Sequence, residues 1–201
     1  MRRPRRPTVD LLLVFAAVFA VQQVAGVVGF GVEWFALATP LRRPWTVVTT
    51  VYAHATLGHL LANAVGLVVV GLLLERSTTR TRFHGFVLGT GMLSAGAEFL
   101  VGAALGSPVA VLGASGAVLA GVGYVLADNR LAGGVLSRAG LGRRGSVALL
   151  IAVATVVTLV TFGPGVAVVA HFTGFVVGAL AGRVGVLRAG ARQGRVDSVR
   201  G

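Results

Sequence analysis

The sequence predicts an all-α, polytopic membrane protein with six transmembrane helices, and three observations carry that prediction. Mean hydropathy is +0.87 and 55% of the 201 residues are apolar, while only 12% are charged, against about 25% in an average soluble domain. Six apolar stretches, at roughly 9–30, 49–74, 83–105, 108–127, 146–162 and 165–182, approach the length of about 20 residues that a spanning helix needs. The basic residues, finally, lie between those stretches rather than within them. No room is left for a separate soluble domain.

Taken in order, residues 1–8 form a basic N-terminus, 9–186 the six-helix membrane domain and 187–201 a basic tail. The opening Met1-Arg2-Arg3-Pro4-Arg5-Arg6-Pro7 resembles the charged region of an export signal, including a twin-arginine one. With five further spans behind it, the first stretch reads as an anchor helix. The second is expected as one continuous helix ending at Glu75 and Arg76, and the third follows Arg80 and Arg82. The fourth ends at Asp128 and the sixth at Arg183, with the fifth between them.

The net charge of +12 would suit a nucleic-acid partner, but its distribution excludes one. All eighteen basic residues are arginine, and sixteen fall in alternate inter-span segments, leaving only Arg42 and Arg43 on the other side. This is the positive-inside asymmetry. It predicts a multi-pass protein of the cell membrane with both termini cytoplasmic and a basic face against anionic lipid headgroups. His84, in an arginine-rich inside segment, is expected to be solvated.

There is no cysteine, so disulfides, thiol catalysis and thiolate metal sites are unavailable. Four histidines and six carboxylates make a protein-built metal centre an unpromising reading, and no cofactor is expected. The 30 glycines fall mostly within the apolar runs, where small residues let membrane helices approach closely. The tightest packing is expected among the last three spans.

Polar residues interrupt the apolar runs in a few places: His54, His59 and Asn63; Gly113-Ala114-Ser115-Gly116; Ala170-His171-Phe172-Thr173-Gly174; and Glu98 alone. Depth follows from residue counts. Ser115 lies 13 residues before Asp128, and His171 and Asn63 lie 12 before Arg183 and Glu75. At 1.5 Å per residue these are about 18–20 Å from the charged ends, and His59, one turn further, about 24 Å. In a hydrocarbon core about 30 Å thick they converge roughly 10 Å below the outer surface. A hydroxyl nucleophile, a histidine base, a second histidine and an amide at one level make a hydrolytic site.

Each residue also has a plainer reading. A lone membrane serine back-bonds to its own helix carbonyl, but Gly113 and Gly116 on either side would expose backbone N–H donors for an oxyanion. His171 could simply bond a neighbouring helix. Below it, however, Gly174, Gly178 and Gly182 form a smooth stripe that would let span six press on span four. His59 and Asn63, at i and i+4, share one helix face. They either cross-link helices or present donors to an oxyanion. His54, some 31 Å up and rotated by about 140° from His59 on an ideal helix, is expected at the outer interface as a structural hydrogen-bonder for the loop before span two.

The run from Trp45 to His54, with His59 and Asn63, resembles the second-span motif of the rhomboid intramembrane serine proteases. Gly113-Ala114-Ser115-Gly116 is similar to their nucleophile motif, and Ala170-His171 with Gly174 and Gly178 to their Ala-His-x-x-Gly-x-x-x-Gly signature. The resemblance covers about residues 40–186, with the three motifs in family order. It implies a Ser115–His171 dyad without a third acid. It also implies an oxyanion site from His59, Asn63 and the Ser115 N–H, with Gly113 shaping that loop. The substrates would be single-span membrane proteins cut near the outer end of their helix. Residues 32–48, with Trp34, Phe35 and Trp45, would form the membrane-edge loop, and span five with the 162–165 turn the gate.

Two departures stand out. Leu119 occupies the place, four after the serine, where the family often has an aromatic residue stacked on the histidine. That change is expected to alter ring orientation rather than abolish activity. Arg42-Arg43-Pro44-Trp45 replaces a Trp-Arg pair common among bacterial members. Glu98 matches no family role, and facing the bundle is the expectation for it. Two other classes stay open: a catalytically inactive rhomboid-like binding or quality-control protein, and a small proton-coupled transporter relaying through Glu98 and the histidines.

Overall fold

The computed structural model of the chain describes residues 6–128 and 167–189, with the helical positions 145, 148 and 152. Most of the fifth predicted span, the 162–165 turn, residues 1–5 and the tail beyond 189 lie outside the described residues. The elements are α1 (Pro7–Val27), a 3₁₀ turn (Val32–Trp34), β1 (Leu37–Ala38), α2 (Thr46–Thr49) and α3 (Leu57–Leu74). They continue with α4 (Arg80–Ala104), β2 (Ala110–Val111), α5 (Ser115–Ala127) and α6 (Val168–Val184). The mostly helical, multi-pass class predicted from the sequence is what is found. Among the described residues, α1, α3 and α4 are long and apolar enough to cross a membrane, and α5 and α6 are shorter apolar helices.

Three differences from the sequence expectation are instructive. The second stretch is not one helix: α2 ends at Thr49, residues 50–56 are non-helical, and α3 starts only after Thr56, whose hydroxyl caps it by accepting the His59 N–H at 3.1 Å. Threonine before an apolar run is a recognisable N-cap. The fourth helix starts at Ser115 rather than near 108, so α5 spans only about 20 Å, short of the roughly 30 Å of a hydrocarbon core. Two short strands, finally, join the all-α fold, β1 and β2 pairing antiparallel with Leu37 opposite Val111.

That strand pair has a physical cause. Non-helical backbone at membrane depth survives only where protein satisfies its polar groups. The chain leading into α5 is satisfied by β1, by the Thr50 carbonyl accepting the Gly113 N–H at 2.8 Å, and by the Thr50 hydroxyl donating to the Val111 carbonyl. Thr50 is 1% exposed.

α5 is the central helix, packed on α3, α4 and α6. Its contact with α6 is close because small residues face backbone along the seam. A methyl group added at Gly174 would come within 2.2 Å of the Gly116 carbonyl oxygen. At Gly178 it would come within 1.8 Å of the Ala120 carbonyl oxygen, and at Gly182 within 2.5 Å of that of Tyr124. Gly123 answers from α5, where an added methyl would run into the Phe175 carbonyl oxygen. Between membrane helices, where lipid is as apolar as leucine, such surface fit is the main attraction. The tightest described packing is thus the α5–α6 seam, with α4 alongside it. Outward faces carry Leu13, Val24, Val65, Val69 and Leu180, which suit acyl chains.

The ends of the helices remote from Ser115 are tied by polar contacts. Thr8 donates through hydroxyl and N–H to Glu75, at 2.7 and 3.3 Å, fixing α1 to α3. Arg80 pairs with Asp10 at 2.8 Å. His84 is not in a loop but is the fifth residue of α4, 3.7 Å from the same carboxylate. After α6, Arg188 pairs with the buried Asp128 at 2.8 Å and the Leu187 N–H donates to the Tyr124 hydroxyl at 3.2 Å. Arg82 also donates to the Arg188 carbonyl.

Replacing Gly178 by alanine should therefore lower stability in detergent by about 1–3 kcal/mol, the usual range for overpacking, because the obstructing atom is backbone. Gly85→Ala on α4, where nothing lies within 4 Å, is the control and should not lower the melting temperature. Equal melting curves for wild type and Gly178→Ala would refute the seam's role.

Candidate active site

Ser115 is the first residue of α5 and His171 lies in the first turns of α6. Both positions follow from where their helices begin, and the α5–α6 seam holds the two beginnings side by side. The His171 Nε2 atom lies 2.9 Å from the Ser115 Oγ atom, a hydrogen bond whose direction depends on the imidazole tautomer. His171 is 8% exposed. Because the first helical bond of this turn runs from the Val118 N–H to the Ala114 carbonyl, the N–H groups of Ser115, Gly116 and Ala117 have no acceptor within the helix.

A cavity of about 430 Å³ opens over the pair, lined by His59, Asn63, Ser115, Leu119, Ala167 and His171 together with small and aliphatic side chains. His59 and Asn63 thus reach it from α3 as their i, i+4 spacing predicts. The Asn63 amide donates to the His59 carbonyl at 3.0 Å; that amide has two N–H donors in all. Gly113 has φ of +118°, a conformation glycine adopts without strain. A methyl there would meet the His59 imidazole at 2.6 Å and approach the Asn63 amide nitrogen to 3.7 Å. Glycine at 113 therefore allows the serine loop and the α3 face to close on each other. Gly116 makes the matching approach behind the site, where a methyl would meet Ser94 on α4 at 2.5 Å.

The expected place of His54 is corrected. It precedes α3, so helical rise and rotation do not apply to it, and its ring is packed inside the protein. It is 1% exposed, its ring edge-on to His59 with centroids 5.3 Å apart and 5.1 Å from Phe15 of α1. Its backbone makes the anchoring bonds. The N–H donates to the Gln22 side-chain oxygen at 3.0 Å and the carbonyl accepts from the Gln22 amide at 3.3 Å. Gln22, Thr50 and Phe15 were missed by the sequence reading. Gln22 could have been noticed as an amide inside an apolar span; nothing local marks the other two.

The loop between α1 and α2 is anchored by aromatic contacts. Trp34 and Trp45 stack at 6.0 Å, Trp45 donates to the Trp34 carbonyl at 3.0 Å, and the Arg43 guanidinium lies 4.3 Å from the Trp34 ring centre. Glu98, on α4, accepts the Ala170 N–H at 2.9 Å. Among the described residues, no three His, Cys, Asp or Glu side chains gather where one metal ion could be held.

The family model for the rhomboid domain matches residues 41–188. The chain belongs to the rhomboid family. Rhomboids are in general intramembrane serine proteases acting on membrane-protein substrates within the bilayer, although inactive members exist. A second similarity is short: 69 residues are 41% identical to dipeptide and tripeptide permease B of Salmonella typhimurium, covering 34% of this chain and 13% of the permease.

If the His54 ring serves as packing for this rhomboid, His54→Ala should open a cavity between α1 and α3. Large-to-small changes in buried positions cost on the order of 2–5 kcal/mol, so its melting temperature should fall clearly. An unchanged thermal transition would show the ring to be dispensable for the fold.

Proposed function

We propose that this rhomboid is an active intramembrane serine endopeptidase that hydrolyses single-span membrane proteins near the outer membrane face. The observation that carries the reading is the 2.9 Å contact between His171 Nε2 and Ser115 Oγ inside a cavity also lined by His59 and Asn63. Nucleophile and base within hydrogen-bond reach are the geometric signature of an activated hydroxyl.

In this mechanism His171 takes the Ser115 proton as the oxygen attacks the scissile carbonyl, and then delivers it to the leaving amine. The tetrahedral oxyanion is met by the Ser115 N–H at the start of α5 and by His59 and Asn63 across the Gly113 approach. Water then repeats the sequence on the acyl-enzyme. The arginine distribution supports an orientation with both termini cytoplasmic, which puts the serine nearer the outer face. A substrate helix enters from the bilayer and unwinds, since a peptide bond within a helix is shielded by its own turn.

A transporter reading has the short permease likeness in its favour. Against it, Glu98, the carboxylate a proton relay would use, is bonded to backbone at Ala170 and does not line the cavity.

Ser115→Ala and His171→Ala should each abolish cleavage of tagged single-span substrates and fluorophosphonate labelling while the folded protein remains extractable. The double variant should be no worse than either, because the two residues act as a unit. Substantial turnover by Ser115→Ala would sink the assignment, and a wild-type protein that neither labels nor cleaves would favour the inactive class.

His59→Ala and Asn63→Ala should each lower kcat by about 10²–10³, the usual cost of an oxyanion donor, with partial serine labelling retained. Mass spectrometry of the products should place the cut near the extracytoplasmic end of the substrate helix. A cut at the cytoplasmic end would overturn both orientation and mechanism.

A further inference from the structure

Among the described residues, the helix that carries His171 has no local side-chain cap. Its N-cap residue is Ala167, which has no side-chain acceptor, and the residues before it run Pro164-Gly165-Val166. The first four N–H groups of any helix lack partners within the helix, and each needs an acceptor from elsewhere. Here an acceptor comes from 72 residues earlier in the chain: the Glu98 Oε2 atom on α4 receives the Ala170 N–H at 2.9 Å. Ala170 is the third residue of α6, the position whose N–H a capping side chain ordinarily takes. The next residue is His171.

The glycine seam explains why such a bond is needed. Gly174, Gly178 and Gly182 set how closely α6 approaches α5, but a smooth surface of small residues resists sliding and rotation poorly. A directional hydrogen bond at the first turn fixes both. α4 is well placed to give it, because Ser94, one turn before Glu98 on the same helix, lies where α5 and α6 cross, with its Oγ 2.9 Å from a methyl built at Gly174 and 2.8 Å from one built at Gly116. A carboxylate at a helix N-terminus is also favoured by the helix dipole.

We infer that Glu98 is a positioning residue for the base: through its hydrogen bond to Ala170 it sets the height and rotation of α6, and hence the His171–Ser115 distance. This rests on the protease reading for its kinetic consequence, though the cap itself does not. Misplacement of a reacting group by 1 Å costs about 10²-fold, so Glu98→Ala should lower kcat and the rate of fluorophosphonate labelling about 10- to 100-fold. KM should move less than about twofold, because substrate binding is not what is lost. Glu98→Gln keeps an oxygen acceptor of the same shape and should restore kcat. So should Ala167→Ser placed in the Glu98→Ala background, since a serine N-cap can accept the same N–H. Hydrogen exchange at the Ala170 amide should be faster in Glu98→Ala and normal in Glu98→Gln.

Wild-type kcat and exchange in Glu98→Ala would overturn the inference while leaving the protease reading intact. A Glu98→Gln variant as impaired as Glu98→Ala would overturn it too, since charge rather than the bond would then matter. If the wild type proves inactive yet Glu98→Ala speeds exchange at Ala170, the protease reading fails and the cap stands. Should Glu98→Ala fail to fold, Glu98→Gln decides: wild-type kcat and exchange support the inference, and loss of either overturns it.

Discussion

Ser115 and His171 stand near the N-terminal ends of two short apolar helices, and what joins them is the contact of α5 with α6 along Gly116–Gly174, Ala120–Gly178 and Tyr124–Gly182. In a bilayer no hydrophobic force pushes two apolar helices together. Backbones that touch gain dispersion contacts lipid cannot match, and they allow short side chains at the helix starts to reach each other. With larger residues on this seam the axes would separate, and a serine hydroxyl and an imidazole could no longer meet at 2.9 Å.

Starting these helices after non-helical backbone has consequences for the rest of the chain. It leaves N–H groups without helical acceptors and strands the segment that leads in. The structure answers the second problem with β1, Thr50 and the glycine at 113. It answers the first differently at the two helices. The first N–H groups of α5 lie beside the Ser115 hydroxyl, where, under the proposed protease reading, a developing oxyanion would take them. At α6, Glu98 accepts one from the side. The polar islands in an otherwise apolar sequence are therefore parts of one solution to the same deficit of hydrogen-bond partners.

His54 and His59 show how different two neighbouring histidines can be. His59 sits on the first turn of α3 and lines the cavity, whereas His54 is sealed between Phe15 and His59 while its backbone is clasped by Gln22. The clasp links α1 to the start of α3, so the first helix contributes to the site's frame without reaching the chemistry.

Much of this was legible in the chain itself. Hydropathy and the placement of arginines determined a multi-pass helical membrane protein, because long apolar runs and excluded charge are local properties of composition. Residue counts from the charged ends brought Ser115, His171, His59 and Asn63 to one depth, because helical rise is constant, and the stripe Gly174, Gly178, Gly182 announced a close seam. Counting failed where the backbone was not helical. His54 was assigned a height and rotation that an interrupted second stretch does not have, and α5 was begun several residues early. Only the tertiary structure decided which main-chain groups would be satisfied by distant partners: Gly113 by Thr50, His54 by Gln22, Ala170 by Glu98. Those bonds join residues tens of positions apart, and nothing in local pattern specifies them, because each depends on where a different helix passes by.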